Sequence, residues 1–459
     1  MPAKPNIALV GLLGLAPVAA EAETYQVGPT RGHTSLTSLF NAVDLGPGDI
    51  VEVDGDGARY PGGIVMPEAD GGAPGNPVVL RGLRSGGQRP IIEGGFNSIE
   101  LRAHHVVFEG FEITGTTSPV STFRCFFHHS HDVVIRDARI HGCPQHGVLG
   151  ADQGSGSLTI EYSEIWDAGS GDRNHTIYMA TDEVAFPGSV FRLQHSYVHS
   201  ANGGNLIKSR AERNEIYHNW LEGGFYHELE LIGPDPGGAP AGWSEALVRE
   251  DSDIVGNVIV HTAEFSSILR FGGDGTGQSR GRYRFVHNTV VRRHPNNDTP
   301  TVFRLFHGIE SLAAHNNVFH REGGSGLRIV REVEADWSFG SRIIGRNNHV
   351  DAGSTFLPAG FTGTVVGADP GFTAAAASDL VPTLDSPLRD AANADTQGPA
   401  DYAVAGSLAV PTFQPQRQAP APGGALTRVT AFLAADIGAM ERADPGRIFG
   451  SGFETGEAP

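Results

Sequence analysis

Lys208 is the side chain most readily given a chemical task. It sits in NLIKSR, within the stretch Asn205–Asp235, where Ile207 and Ser209 alternate with Leu206, Lys208 and Arg210. Successive side chains of a strand point to opposite faces, so an inward Ile207 sends Leu206, Lys208 and Arg210 outward. Similar segments recur on either side. HTIYMA turns Thr176, Tyr178 and Ala180 outward, HELELI turns Glu228 and Glu230 outward, SILRFG leaves Arg270 out, and VFRLFH leaves Arg304 out. Stacked in register, these segments place Tyr178, Lys208, Glu230, Arg270 and Arg304 on one ridge.

Such a ridge suits a chain of sugars, and one reaction matches its residue types. β-Elimination on a uronate needs a cation to neutralise the C6 carboxylate, a base for the C5 proton and an acid for the departing oxygen. Lys208 serves as the base if burial or the nearby cations Arg210 and Arg270 lower its pKa. Arg270 and Tyr178 then fill the other roles, and Arg210, Glu230, His227 and Arg304 bind substrate. His175, in RNHTIYM, gives Tyr178 an acid–base partner; the same phenol ring is alternatively a platform for a sugar. Two other readings compete. A salt bridge from Lys208 to Glu230 would raise the lysine pKa and make it a poor base, which leaves a non-catalytic carbohydrate-binding surface. Glu228, Glu230 and Asp235, with Glu264 one repeat on, are carboxylates for a glycoside hydrolase, which needs two of them roughly 5–9 Å apart.

Histidines form a further cluster. His128, His129, His131, His141 and His146 crowd two neighbouring repeats beside Cys125 and Cys143. Histidine and cysteine are zinc ligands, yet no HExxH or CxxC spacing occurs, and among 20 histidines stacked turn residues are the expected reading. The two cysteines lie close to one repeat apart. A disulfide is left open, since it needs Cα atoms within roughly 7 Å.

The elements that must carry these residues are short strands. From residue 104 the segments VVFEGFEI, VVIRDARI, LTIEYSEI, VFRLQHSYV, NEIYHNWL, SDIVGNVI, YRFVHNTVV, SLAAHNNVF and RIIGRNNHV share one shape. The matching positions are Phe111, Ala138, Ser163, Ser196, Asn219, Asn257, Asn288, Asn316 and Asn347. Their spacing drifts from 23 residues (Ser196 to Asn219) to 38 (Asn219 to Asn257). Helical repeats hold their period more tightly, whereas parallel β-helices take insertions in their loops. Asparagine suits a sharp turn, and amides stacked on coils about 4.8 Å apart can bond to one another. Leu36, Leu39, Phe40 and Val43 have helical spacing, and a helix over Leu36–Val43 is expected to cap the open first coil.

Composition agrees. The 62 glycines among 459 residues suit many strands and turns. A net charge of −19 argues against a nucleic-acid partner, and a polyanionic glycan would need a local basic patch. Lys4, the apolar run Ile7–Ala20 and the Ala20-Glu21-Ala22 site predict a signal peptide. No later segment reaches the roughly 18 apolar residues of a membrane span. The protein is therefore expected to be secreted or periplasmic and monomeric.

The pattern resembles the right-handed parallel β-helix superfamily that includes pectate-lyase-like proteins. YQVGPTRGHTSLTSLFNAVDLGPGDIVEV resembles its N-terminal capping segment, GADPGFTAAAASDLVPTLDSPLRDAA its final coil, and DIGAMER a strand that ends such chains. The likeness implies an all-β, right-handed parallel β-helix over roughly residues 24–442; the superfamily hosts lyases, hydrolases, epimerases and non-enzymes alike. Locally, IKSRAERNEIYHN resembles the lysine–serine segment of calcium-assisted lyases of the chondroitinase B and alginate lyase type, which implies Lys208 as base. Those lyases carry an arginine on the next coil, where this chain has Glu228 and Glu230, and Arg270 one coil further is a substitute for it. They also carry calcium-binding acids before the lysine, where this chain has Ala201, Asn202, Gly203 and Gly204. The cofactor is left open. The expected organisation is a signal peptide over 1–22, a β-helix over 23–350, a final coil with a covering segment over 351–442, and a disordered tail over 443–459.

Overall fold

The computed structural model describes residues 22–443, apart from 236, 245–246, 248–249, 274–278, 297, 307, 325, 334–341 and 431–433. Nearly all of the expected signal peptide and tail lies outside those residues. Among the described residues no helix is long and apolar enough to cross a membrane.

Three parallel sheets form the solenoid. Among the described residues sheet A has 13 strands, sheet B 12 and sheet C 10, and each full coil feeds them in turn. One coil runs through Arg213–Tyr217 (A), Trp220–Glu222 (B) and Leu229–Ile232 (C); the next runs through Asp251–Val255, Val258–His261 and Ser267–Gly272. The architecture is thus a parallel β-helix, as the repeats predicted. Inward valines, isoleucines, leucines and phenylalanines from all three sheets make one continuous core. Phe271, Phe285, Phe303 and Phe319 contact one another along its axis, with ring centroids 5.2 to 6.4 Å apart.

The expected first helix is shorter than its apolar spacing suggested. Helix α1 spans Leu36–Phe40, and Ser35 caps it in a reciprocal bond pair with Ser38. Leu36, Leu39 and Phe40 are buried in the core at the first coils. Cys125 and Cys143 form a disulfide with Cα atoms 6.0 Å apart, resolving what their spacing left open.

The asparagine row is a ladder, with one correction of register. Asn257 Oδ1 accepts from the Asn219 backbone N–H at 2.9 Å and from its Nδ2 at 3.0 Å. Asn288 does the same for Asn257. The ladder then continues through Asn317 and Asn348, not through Asn316 and Asn347. In each NN doublet the first asparagine takes the left-handed backbone of the turn, with φ of 58° and 50°. His195, His218 and His287 hold that position on other coils, and Gly256 holds it at φ 67°. The wholly buried amide of Asn257 also donates to the Ile216 carbonyl. Asn257→Ala strips several buried partners at once, each worth about 1–3 kcal/mol. It is expected to lower the urea midpoint of unfolding sharply, whereas the exposed Asp379→Ala leaves it unchanged.

Residues 371–430 and 434–442 pack back over the solenoid. Arg213 and Arg282 of sheet A donate to the carbonyls of Ala405 and Ala403 at 2.7 and 2.6 Å. Asp253 accepts from the Ala409 N–H at 2.9 Å. Leu380 and Ala439 pack on Trp220, Val258, Val260 and Val291, which face outward from sheet B. These bonds and contacts fall on sheets A and B. Sheet C, which carries Lys208, is the third face.

Candidate functional site

Backbone pairing sets the ridge on sheet C. Tyr178 is opposite Lys208, Lys208 opposite Glu230, Glu230 opposite Arg270, and Arg270 opposite Arg304. The five residues expected on one line are therefore on adjacent strands in register. Arg331 extends the line past Arg304, and Leu149 continues it beyond Tyr178. Arg331 was legible in GLRIVR, which repeats the same alternation.

Glu230 lies between two cations. Its Oε2 is 3.5 Å from Lys208 Nζ, and its Oε1 is bound by Arg270 Nη1. Asn205 Nδ2 also donates to Oε2. Burial pushes this carboxyl up, but Lys208 and Arg270 outweigh it and hold the group down at about 2. The bridge named as the competing reading therefore exists. It is not sealed, because Lys208 and Arg270 each keep 15% of their side-chain surface exposed.

Tyr178 meets Lys208 from the other side. The ammonium nitrogen is 5.3 Å from the centre of the phenol ring. Arg210, expected to point freely outward, is buried instead. Its Nε donates to Tyr178 Oη at 3.1 Å and its Nη1 to the Gly233 carbonyl at 2.6 Å. Burial pushes the phenol up to about 12, so at neutral pH it holds its proton. With one oxygen lone pair taken by Arg210, the hydroxyl is left as a donor.

A second polar column lines the turn three residues upstream. The His175 N–H donates to His146 Nδ1, the Asn205 N–H to His175 Nδ1, and the His227 N–H to Asn205 Oδ1, over 2.9 to 3.2 Å. An Nδ1 that accepts a backbone N–H leaves the proton on Nε2. Burial pushes His146 down to about 4 and His175 and His227 to about 3. All three rings are neutral at neutral pH. The His175 ring stands edge-on to Tyr178, with centroids 5.5 Å apart.

Strict alternation failed one residue before the strands. Thr176, Leu206 and Glu228 were expected outward and are wholly buried. Each is followed by a second inward residue, Ile177, Ile207 or Leu229, because the chain turns a corner there. Glu228 accepts from the Gly224 N–H at 2.9 Å and faces His261 Nδ1 at 3.0 Å. It is closed off from any glycan, which removes it from the set of hydrolytic carboxylates. Glu230, committed to two cations, is no better suited to carry a proton to a leaving group.

Metal ligation finds no support in the donor set. Among the described residues no three His, Cys, Asp or Glu side chains are grouped to hold an ion, the histidines near the disulfide included. Ahead of Lys208, a Cβ on Gly203 would come within 2.5 Å of the Ser170 backbone. An acid in place of Gly203 therefore has no room there.

The chain after Gly233 walls the site beside Arg210. Pro234, Asp235 and Trp243 meet Asp152 and Thr181 around a small cleft. Glu183 is buried in the same region, and burial together with the Glu212 carboxylate pushes it up to about 7. An acid whose folded pKa lies above its unfolded value destabilises the fold as it ionises. The penalty is absent below about pH 4.5, grows toward pH 7 and stays constant above it, at about 3 kcal/mol for this shift. Glu183→Gln is expected to raise the urea midpoint at about pH 8 and to leave it unchanged at about pH 4.

No family model and no curated protein matches the sequence. Solved structures do resemble the fold. An alginate lyase from Paenibacillus sp. str. FPU-7 is 15% identical, over 66% of this chain and 96% of that one, with a TM-score of 0.40. Pectate lyase Pel9A is 11% identical, over 92% and 97%, with a TM-score of 0.46. XylC in complex with xylose is 9% identical, over 76% and 86%, with a TM-score of 0.44. The parallel β-helix itself stands on the strand pairing of this chain.

Proposed function

We propose that the chain is a secreted or periplasmic polysaccharide-degrading enzyme, a lyase that cleaves an acidic, uronate-containing glycan by β-elimination on sheet C. The observation that carries this reading is the Tyr178–Lys208 pair on adjacent strands, with a protonated phenol beside an amine and arginines continuing along the same line. Export fits the expected signal peptide and the disulfide, which persists in oxidising compartments.

The roles follow from the groups. Arg270 and Arg304 neutralise the uronate carboxylate and so acidify its C5 proton. Lys208, once neutral, takes that proton, and Tyr178 protonates the oxygen at C4 as it leaves. Arg210 fixes the phenol through its 3.1 Å bond. His175 and His227 hold the turn that carries Asn205, which in turn orients Glu230.

The Lys208–Glu230 bridge favours a second reading, a non-catalytic surface that binds acidic glycan. Incubating the purified protein with a panel of uronic-acid polysaccharides separates the two. Ultraviolet absorbance from an unsaturated product, lost in Lys208→Ala, is expected. Binding without absorbance on every polymer would leave the second reading standing.

A further inference from the structure

The line through Tyr178 and Lys208 has two unlike halves. On one side lie Arg270, Arg304 and Arg331, in register. On the other, the register continues through Leu149, Phe127 and Glu100 to Val65. Glu100 is tied to Arg102 at 2.6 Å and to Asn97 at 3.0 Å. Arg124 lies against the faces of both Phe123 and Phe127, at 4.3 and 4.2 Å, with its Nη1 on Asn97. Beside them Phe96 stacks on Phe123 with ring centres 5.5 Å apart, and Phe96 is 57% exposed. Phe96, Phe123 and Phe127 thus line this end of the ridge with aromatic rings.

We propose that this aromatic end is a subsite for an uncharged sugar ring, so that the substrate is an acidic–neutral heteropolysaccharide and not a homopolymer of uronate. The inference rests on the reading of sheet C as a glycan site. The arginine half complements a carboxylate. The Phe96–Phe127 half offers ring faces, which suit the apolar C–H face of a pyranose. Of its two cations, Arg124 is stacked between rings and Arg102 is paired with the Glu100 carboxylate. Phe127 is two strands from Tyr178, about 10 Å at the spacing of stacked strands, so one bound chain covers both halves.

Binding tests this without requiring cleavage. Dissociation constants for wild type and for the double variant Phe96→Ala/Phe127→Ala are measured against polymannuronate and against a polymer alternating uronate with neutral hexose. Wild type is expected to bind the heteropolymer about tenfold more tightly, and the variant to lose that preference while keeping its affinity for polymannuronate. Equal or tighter binding of polymannuronate by wild type overturns the proposal, as does a variant weakened equally on both polymers. Failure to bind either polymer overturns it together with the glycan-site reading. Single Phe96→Ala, at an exposed ring, checks that any loss is not misfolding. Unsaturated product is followed separately, so failed elimination is distinguished from failed subsite assignment.

Discussion

Lys208→Ala is expected to lower kcat on the best uronate polymer by about 10³-fold, within the range for removing a positioned base. KM should change little, because Arg270 and Arg304 still hold the carboxylate. Tyr178→Phe should lower kcat to a similar extent, since it removes the proton given to the leaving oxygen and keeps the ring that faces Lys208 at 5.3 Å. The two residues act in one step, so the double variant should be scarcely slower than either single one. Additive losses would mean that the phenol and the amine work independently. A binding surface would show the contrary pattern: weaker affinity in Lys208→Ala, none of the variants altering a rate.

Glu230→Gln is the other large effect, and it falls on stability. Lys208 and Arg270 hold Glu230 down at about 2, so it is ionised at neutral pH. A carboxyl whose folded pKa lies below its unfolded value adds stability above about pH 4.5, and this is lost as pH falls toward 2. The variant should therefore be less stable by a few kcal/mol at neutral pH and match wild type near pH 2. An unchanged pH dependence of the urea midpoint in Glu230→Gln would contradict the pairing of this carboxylate with Lys208 and Arg270.

Much of this arrangement was legible because strand alternation is local. Ile207, Leu229, Leu269 and Leu305 are inward, and the residues after the first three and before the last form the line. Alternation says nothing about corners. Thr176, Leu206 and Glu228 broke it because two successive residues turn inward where the chain bends into sheet C. The asparagine row was readable as a ladder, yet the NN doublets gave no means of choosing between Asn316 and Asn317. Only the hydrogen bonds and the positive φ of the first residue separate them. Contacts between distant segments were out of reach altogether. Nothing in IKSR announces that Arg210 folds under to hold Tyr178, and nothing in the C-terminal segment announces that Leu380 and Ala439 pack on sheet B. Of the histidine column, the sequence set His146 in the crowd near the cysteines and His175 and His227 beside the ridge, but the tautomers of His146 and His175 depend on backbone N–H groups one coil away.

The chemistry of the new chain end tests the central claim most directly. Purified protein is incubated with a uronate-containing polysaccharide, and the fragments are weighed by mass spectrometry. Elimination over Lys208 and Tyr178 predicts fragments lighter by one water than hydrolysis would give, with a double bond in the new non-reducing sugar, and none from Lys208→Ala. Fragments carrying the full mass of water, or intact polymer that binds the protein without being cut, would contradict it.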